Sequence, residues 1–517
     1  MKSTLGLALL ASVASAKYNV VNQTTCAGTT YEYTGLVGYG FVPSTATDKY
    51  GDTIGGIGSS IAIDQSSWRK SDDDVYSGTL YTIPDRGWNT NGTLNFQSRI
   101  HKFAMTFKPA RHASAKSPSD PNLRLKYLDT ILLTGPDGKP TTGLDADATG
   151  NASYPGFPPL PAATYTGDGF GGSGKGDKRI SIDAEGLALA NDGGFWVSDE
   201  YGPYVYKFSA SGRMELAIQP PQAYLPRRNG TLSFSANSPP LYNPSEVPNP
   251  EDTDSGRDNN QGFEGLTISP DGKTLYTLIQ SSLDQEGGPK KQNRAPARLL
   301  AYDISGKTPQ YIHEWVVTLP KYNDYTSSDA SKATKVASQS EIHQLPNGDF
   351  LVLTRDSGFG HGQAESRSVY RQADVFSVLN SNSSVTDFKG QSDYDTATGA
   401  IASSKGVLKD GITPAEYCSF LDFNVNSELA KFRLHNGGAQ DQYLLNEKWE
   451  SLALVPVKPS QDGVHHKPGR EQEYFLFSMS DNDFITQNGH MNSGKFSYKD
   501  ASGYDLDSQT LVFKVKF

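Results

Sequence analysis

The chain has 517 residues, and its 51 glycines and 30 prolines leave few long stretches suited to helices. It carries a formal net charge of −10 from 47 basic and 57 acidic side chains. Because affinity for nucleic acid depends on clustered Lys and Arg that neutralise phosphates, this balance argues against a nucleic-acid partner. With 36% hydrophobic residues, the composition is that of a globular protein, and we expect mostly strands and loops.

The first 16 residues have the three parts of a secretory signal peptide. Lys2 is followed by an apolar run from Leu5 to Val13 and then by Ala14-Ser15-Ala16, a small-residue cleavage site. The run is too short to span a membrane, which takes about 20 apolar residues. We therefore predict a signal peptide at 1–16, a single mature domain at 17–517, a secreted extracellular protein and no membrane partner.

Glycosylation sites and cysteines are typical of the same oxidising compartment. Five Asn-x-Ser/Thr sites are candidates for N-glycosylation on surface loops: Asn22, Asn91, Asn151, Asn229 and Asn382. The two cysteines, Cys26 and Cys418, are predicted to form a disulfide that joins the N-terminal segment to a late part of the chain. Two buried free thiols are the alternative.

A diverged repeat organises the chain into β-hairpin units. In the clearest copy, an apolar strand at 184–189 is followed by an Asn-Asp-Gly-Gly turn and a second apolar strand at 195–198, which leads into Asp199-Glu200. Alternating apolar residues with Asp-Gly or Asn-Gly turns are typical of β-hairpins. Units of this kind begin near residues 55, 184, 263, 340 and 449.

Repeated hairpin units in a chain of this length predict an all-β fold with a single β-propeller, because a closed ring protects the edges of its sheets. We expect five blades, or six if a degenerate unit lies between 385 and 445. Strands near 31–37 and 510–515 are expected to pair and close the ring. Long Gly, Pro and Ser-rich insertions at about 135–178, 220–260 and 390–413 are predicted to shape a binding face or to be partly disordered, and we expect a monomer.

Four glutamates recur at the start of the inner strands and are predicted to converge on the central channel: Glu185, Glu264, Glu341 and Glu450. Four carboxylates near one axis repel each other unless a cation neutralises them or some are protonated. A site of oxygen ligands favours calcium first and magnesium second. The alternative is that each glutamate accepts hydrogen bonds from neighbouring backbone and has only a structural role.

The ends of the second strands supply the charged residues that are candidates for catalysis: Arg86, Asp199, Arg355, Asp356 and Asp481. An arginine near a metal ion stabilises negative charge that develops during ester hydrolysis, and simple pairing with nearby carboxylates is the alternative. The sequence has neither the Gly-x-Ser-x-Gly motif of serine esterases nor the His-Glu-x-x-His motif of zinc proteases.

Several motifs occur in a fixed order along the chain: Asp183-Ala184-Glu185-Gly186-Leu187, Gly262-Phe263-Glu264-Gly265-Leu266, Leu353-Thr354-Arg355-Asp356 and Trp449-Glu450-Ser451-Leu452. As an ordered set they resemble the phytase-like propeller family, named for the esterase-like activity of phytase, over residues 35–517. The resemblance implies a β-propeller and hydrolysis of phosphate or other esters. The chain departs from the family pattern at Gly55-Gly56, where an acidic residue is missing.

These observations give one leading hypothesis of function and two alternatives. The leading hypothesis is a secreted, metal-dependent hydrolase of small-molecule esters, with phosphomonoesters such as phytate as substrates and the four glutamates as calcium ligands. A calcium-dependent lactonase or carboxylesterase is the second hypothesis. The third is a propeller that only binds a ligand and uses its ion to stabilise the ring.

Overall fold

The computed structural model describes residues 20–379, 385–459 and 471–517, which form a ring of five antiparallel sheets. In the first four sheets, or blades, the strands follow in chain order from the central channel outward. Blade 1 contains the strands Ser60–Ile63, Tyr76–Ile83, Arg99–Phe107 and Leu123–Leu132, and blade 2 contains Ala184–Leu189, Phe195–Asp199, Val205–Phe208 and Met214–Ile218. Blade 3 contains Phe263–Ile268, Thr274–Ile279, Pro296–Asp303 and Gln310–Thr318. Blade 4 contains Ser338–Gln344, Phe350–Arg355, Arg371–Ser377 and Glu416–Asp422.

Blade 5 is built from both ends of the described chain. From the channel outward its main strands are Ala453–Pro456, Glu473–Asp481, Ser508–Lys516, Thr29–Val42 and Asn22–Cys26. The early strand and the late strand pair antiparallel, with Leu36 opposite Phe513. The predicted closure is confirmed, and so is the five-bladed propeller, because the only strand at 385–445 is the outer strand of blade 4.

The predicted disulfide between Cys26 and Cys418 is present. Cys26 ends the outermost strand of blade 5, and Cys418 lies in the outer strand of blade 4. The bond thus links the closing blade to its neighbour across 392 residues of sequence. A cross-link over so long a loop restricts the unfolded chain, and it therefore stabilises the closed ring.

The hydrophobic core lies between the faces of adjacent blades. Side chains alternate between the two faces of a strand, so each blade presents apolar residues to both neighbours. Leu353, Trp449 and Phe513 pack between blades 4 and 5, and each is at most 1% exposed. Trp68 and Tyr76 stack on each other in the core between blades 5 and 1. This packing fixes the inner strands around the channel.

Short helices and hairpins in the loops complete the described structure. The α-helices span Ala330–Ala333, Ser392–Asp395 and Asn426–Leu429, and the 3-10 helices span Gln65–Ser67, Gln222–Tyr224, Asp284–Glu286 and Ala430–Phe432. Four two-stranded sheets pair Ala162–Tyr165 with Asp177–Ile180, Arg227–Arg228 with Thr231–Leu232, Lys321–Asn323 with Thr334–Val336 and Gly489–Met491 with Phe496–Tyr498. Two short strands extend the blades: Arg69–Lys70 pairs with a strand of blade 1, and Lys448–Trp449 pairs with a strand of blade 5.

Four of the five predicted glycosylation asparagines are exposed: Asn22, Asn91, Asn151 and Asn229. Asn382 and the predicted signal peptide at 1–16 lie outside the described residues. Modification of these asparagines and cleavage of the signal peptide stay predictions. Within the three described ranges, no helix is both long enough and apolar enough to cross a membrane.

Candidate active site in the central channel

The central channel contains a polar cavity of about 240 Å³ at the end where the inner strands begin. In blades 2 and 3 the pairing of the inner strand is interrupted by a bulge at Glu185 and at Glu264. A bulge redirects a side chain out of the regular alternation of a strand. Both glutamates line the cavity, together with Glu450 of blade 5.

Asp183, Glu185 and Glu200 form an acidic triad, called here triad A, beside this cavity. One carboxylate oxygen of each lies within 4.8 Å of the others, and the three residues are 1%, 7% and 1% exposed. The backbone N–H of Glu200 donates to the carbonyl of Asp183 at 3.0 Å, which joins the two strand ends that carry the triad. Oε1 of Glu200 has no hydrogen-bond partner among the described residues.

Burial and mutual repulsion oppose ionisation of triad A. The pKa of Glu185 is raised well above its ordinary value, first by burial and then by the charges of Glu264, Asp183 and Glu200. Burial also raises the pKa of Glu200 and of Asp183. A nearby cation would reverse this balance, because an opposite charge favours the ionised carboxylate.

Glu264 faces the same cavity with half of its carboxylate satisfied. Gln280 donates its amide N–H to Oε1 of Glu264, whereas Oε2 has no hydrogen-bond partner in the described part of the chain. Burial, followed by the charges of Glu200 and Glu450, raises the pKa of Glu264 well above its ordinary value. The carboxylate therefore adds to the like-charge repulsion around triad A, in which Asp183 pairs with Arg86.

Asp85, Asp481 and Asp483 form a second acidic triad, called here triad B, in which a lysine supplies positive charge. Their carboxylate oxygens also lie within 4.8 Å of one another. Lys448 Nζ is 2.6 Å from Oδ1 of Asp483. Burial lowers the pKa of Lys448, but the charges of Asp483 and its neighbours outweigh burial and raise that pKa well above its ordinary value. Triad B is therefore compensated by the protein's own ammonium group.

The two arginines predicted to be catalytic line the cavity. Nη1 of Arg86 is 2.9 Å from Oδ2 of Asp183, and its guanidinium lies over the ring of Tyr201, 5.8 Å from the centroid. Nη2 of Arg355 contacts Oε1 of Glu450. The two arginine side chains are 12% and 11% exposed. Each arginine thus has a carboxylate partner that holds it at the cavity wall.

Asp199 and Asp356 are saturated by hydrogen bonds and do not line the cavity. Burial raises the pKa of Asp199 to about 7. Asp199 accepts from the backbone N–H groups of Asp183, Tyr201 and Gly202 and from the hydroxyl of Tyr206. Asp356 accepts from the hydroxyl of Ser368 and from the N–H groups of Val369 and Tyr370. Both carboxylates fix the loops next to the site.

Glu341 lies away from the other three predicted glutamates. Its carboxylate accepts hydrogen bonds from Oγ of Ser60 at 2.6 Å and from the N–H groups of Leu266 and Ile342, both at 2.9 Å. Oγ of Ser60 in turn accepts from the N–H of Leu187 at 3.0 Å. These bonds connect blades 1, 2, 3 and 4 across the channel. Burial raises the pKa of Glu341 to about 8.

Several cavity residues did not stand out in the repeat pattern. Lys291 and Arg294 come from the irregular loop between two strands of blade 3, and Arg294 pairs with Asp258 at 2.6 Å. Such loop residues carry no repeat signal. Asp183 and Lys448 each lie two residues before a predicted glutamate, and the period of two in a strand is the signal that points to them.

The donor set of triad A fits a hard divalent cation. All of its donors are carboxylate oxygens, which calcium and magnesium prefer to nitrogen or sulfur. The buried oxygens without hydrogen-bond partners on two members of the triad, Oδ1 of Asp183 and Oε1 of Glu200, are atoms that such an ion would satisfy. Ligands from separate strands are more easily accommodated by calcium than by magnesium, because magnesium requires a nearly ideal octahedral arrangement of its ligands.

Two solved structures show weak similarity to this chain. A luciferin-regenerating enzyme is 11% identical, with 89% of this chain and 92% of that chain covered and a TM-score of 0.27. The PQQ-bound aldose sugar dehydrogenase of Streptomyces coelicolor is 10% identical, with 94% and 85% covered and a TM-score of 0.26. Neither value supports an inference about the fold or activity of this chain.

A sequence relative and a family match are far stronger. An uncharacterized secreted protein of Arthroderma benhamiae is 62% identical over 483 residues, which cover 93% of this chain and 93% of that protein. This relative confirms the prediction of a secreted protein. The phytase-like family, described as esterase-like activity of phytase, matches residues 54–408. The chain therefore belongs to the phytase-like family, as its ordered motifs predict.

Proposed function

We propose that this secreted phytase-like protein is a metal-dependent hydrolase of ester bonds, with phosphomonoesters as its preferred substrates. The observation that carries the proposal is the convergence of Asp183, Glu185 and Glu200 beside a cavity that also presents two arginines. Calcium is the proposed ion, with magnesium second, and Glu264 and Glu450 add negative charge in the same cavity. Glu341 is left out of the ligand set because three donors already satisfy its carboxylate.

A divalent ion held by triad A would polarise an ester and lower the pKa of bound water. The side chains around it have separate tasks. Arg86 and Arg355 stabilise the negative charge that develops on the ester oxygens, and this stabilisation is stronger in a buried cavity than in water. Burial raises the pKa of Asp85 and of Asp481, so that a carboxyl of triad B can hold the proton that the leaving oxygen receives.

The size and the charge of the cavity support a small anionic group as the part of the substrate that enters. The volume of about 240 Å³ is below the range of about 300–1,000 Å³ that is common for sites of drug-sized ligands. One phosphate group fits this space while the rest of the substrate stays outside. Lys291 and Arg294 line the same cavity and attract an anion to it.

Phosphate release from phytate and from p-nitrophenyl phosphate tests the proposal, in calcium and after removal of calcium with a chelator. We expect chelation to abolish activity and added calcium to restore it, while circular dichroism shows that the propeller stays folded. Glu185→Gln and Arg86→Gln should each lower kcat by about 100-fold or more. Glu215→Gln is the matched control, because Glu215 is exposed on the outer strand of blade 2.

The same assays separate the proposal from its alternatives. Hydrolysis of an aryl ester or a lactone without phosphate release would instead support a calcium-dependent lactonase or carboxylesterase. No hydrolysis of any substrate, together with a Tm that chelation lowers, would support a ligand-binding propeller with a structural ion. Activity that neither the chelator nor Glu185→Gln affects would remove the metal from the proposal.

A further inference from the structure

A second cavity opens at the opposite end of the central channel from the polar one. It holds about 340 Å³ and lies among the ends of the inner strands, with Glu341 at its inner limit. The hydrogen bonds of Glu341 with Ser60 and Leu266 cross the channel between the two cavities. Hairpin turns of blades 2, 3 and 4 surround the opening to solvent. The channel is therefore divided into two compartments.

More than half of the residues that line this second compartment, called here the apolar cavity, are apolar, and aliphatic residues from four blades are among them: Ile61, Ile63, Leu187, Leu266, Leu452 and Leu454. None of the residues that line it is a lysine or an arginine, in contrast to the polar cavity. A carboxylate or phosphate would lose its hydration there without gaining an opposite charge. The wall therefore selects against anions and in favour of apolar ligands.

Two polar side chains of blade 4 face the apolar cavity. The imidazole of His343 and the side-chain amide of Gln344 line it, and neither forms a hydrogen bond with another described residue. His343 is partly exposed, and the polar atoms of both side chains reach the solvent in the cavity, so either side chain can bond a ligand that displaces this water. Burial lowers the pKa of His343 to about 4, so the ring is neutral at physiological pH.

We propose that the apolar cavity binds a neutral, largely apolar small molecule that carries one hydrogen-bonding group. The aliphatic walls cover the hydrocarbon part of the ligand, and His343 or Gln344 bonds its polar group. The volume of about 340 Å³ lies within the range of about 300–1,000 Å³ for small-molecule sites. A medium-chain alcohol fits such a space and is its simplest representative. This site is independent of the metal and of the ester hydrolysis proposed for the polar cavity.

Fluorescence of the neutral probe N-phenyl-1-naphthylamine measures binding to the full-length protein, with and without chelator. We expect an increase in fluorescence that 1-octanol reverses and octanoate does not, because the cavity lacks a cation. Ala62→Phe, which fills the cavity from blade 1, should weaken probe binding about tenfold or more. The matched control is Ala364→Phe, in an exposed loop, which should leave the affinity unchanged.

A second variant keeps the test decisive if Ala62→Phe does not fold. His343→Leu should leave probe binding intact but weaken displacement by 1-octanol, because it removes a group that bonds the hydroxyl. A protein that does not bind the probe would overturn the proposal. Equal displacement by octanol and octanoate, or equal affinities of the wild type and a folded Ala62→Phe variant, would overturn it as well.

Discussion

Glu185 and Glu341 have the same side chain at nearly the same place in two repeats, yet we expect their replacement by glutamine to have unequal effects. Glu185 lies in a buried cluster of like charges, whereas Glu341 accepts three hydrogen bonds. Glutamine preserves the shape of the side chain and removes its charge. The free energy of unfolding of the metal-free protein therefore reports the electrostatic environment of each residue.

Glu185→Gln should stabilise the metal-free protein. The carboxylate is 7% exposed, and the charges of Glu264, Asp183 and Glu200 repel it. Keeping this carboxyl protonated near neutral pH costs about 1.4 kcal/mol for each pH unit above its ordinary pKa, and glutamine avoids that cost, so the expected gain is about 1–4 kcal/mol. In calcium the sign should reverse if Glu185 is a ligand of the ion as proposed, because the variant then loses the stabilisation that ion binding provides.

Glu341→Gln should stabilise the metal-free protein less than Glu185→Gln does, because the gain from removing a carboxyl with a raised pKa is offset by the loss of a hydrogen bond. The amide oxygen of the variant still accepts from the N–H groups of Leu266 and Ile342, but its NH₂ group cannot accept from the hydroxyl of Ser60. Losing that hydrogen bond costs about 1–2 kcal/mol. Glu341→Ala leaves all three donors without their acceptor and should cost about 3–6 kcal/mol.

Calorimetry in a chelator near neutral pH measures these differences as shifts in Tm. The entropy of unfolding is about 2.1 cal/mol/K per residue, so a chain of this length shifts by about 1 °C per kcal/mol. Glu185→Gln should then melt about 1–4 °C above the wild type, and Glu341→Ala about 3–6 °C below it. The exposed control Glu215→Gln should change the free energy of unfolding by less than about 0.5 kcal/mol. A shift for Glu341→Gln as large as that for Glu185→Gln, or an unchanged Tm for Glu341→Ala, would refute the two environments.

The remaining predictions concern pH, triad B and the disulfide. Burial raises the pKa of Glu341 to about 8, so the folded metal-free protein binds more protons than the unfolded chain between about pH 4.5 and about pH 8. Its free energy of unfolding should fall as pH rises through that window, and a Tm in chelator that rises instead would contradict this. Lys448→Met removes the cation paired with Asp483, and titration calorimetry should show two bound calcium ions per chain instead of one; an unchanged stoichiometry would count against the compensation of triad B. The Cys26→Ser/Cys418→Ser variant should lose about 2–4 kcal/mol in guanidinium unfolding, and a stability equal to that of the wild type would show that the cross-link does not stabilise the ring.

The ring could be predicted because its signals are local in sequence. Gly193, Gly272 and Gly348 all have φ between 73° and 93°, which only glycine adopts easily, and such turns mark where each hairpin folds back. The closure of the ring could be predicted because each end of the chain has a strand that belongs to no complete hairpin unit. Lys291 and Arg294 could not be predicted, because they reach the cavity through an irregular loop whose path depends on the packing of the whole ring.

The exact register of the repeats could be predicted only in part. Glu185 and Glu264 each lie eight residues before the glycine of the following turn, whereas Glu341 lies seven residues before Gly348. The residue eight positions before that glycine is Ser340, and the bulge of blade 4 falls there. Ser340 lines the polar cavity. Alignment by residue type therefore matched a glutamate that is one position out of register, while counting from the turn gives the true equivalence.

A shift of one residue changes the direction of a side chain in a strand, and here it changes the role of the glutamate. Glu341 occupies the position that Gly186 holds in blade 2 and Gly265 holds in blade 3. A Cβ at Gly186 would lie 2.5 Å from Cβ of Leu266, so that position has no room for a side chain. Since blades 2 and 3 have glycine at this position, the side chain of Glu341 has room to cross the channel and to form hydrogen bonds with several blades. The same residue type thus lines the polar cavity, where the ion is proposed to bind, if a bulge turns it inward, and it closes the channel if it lies one position later.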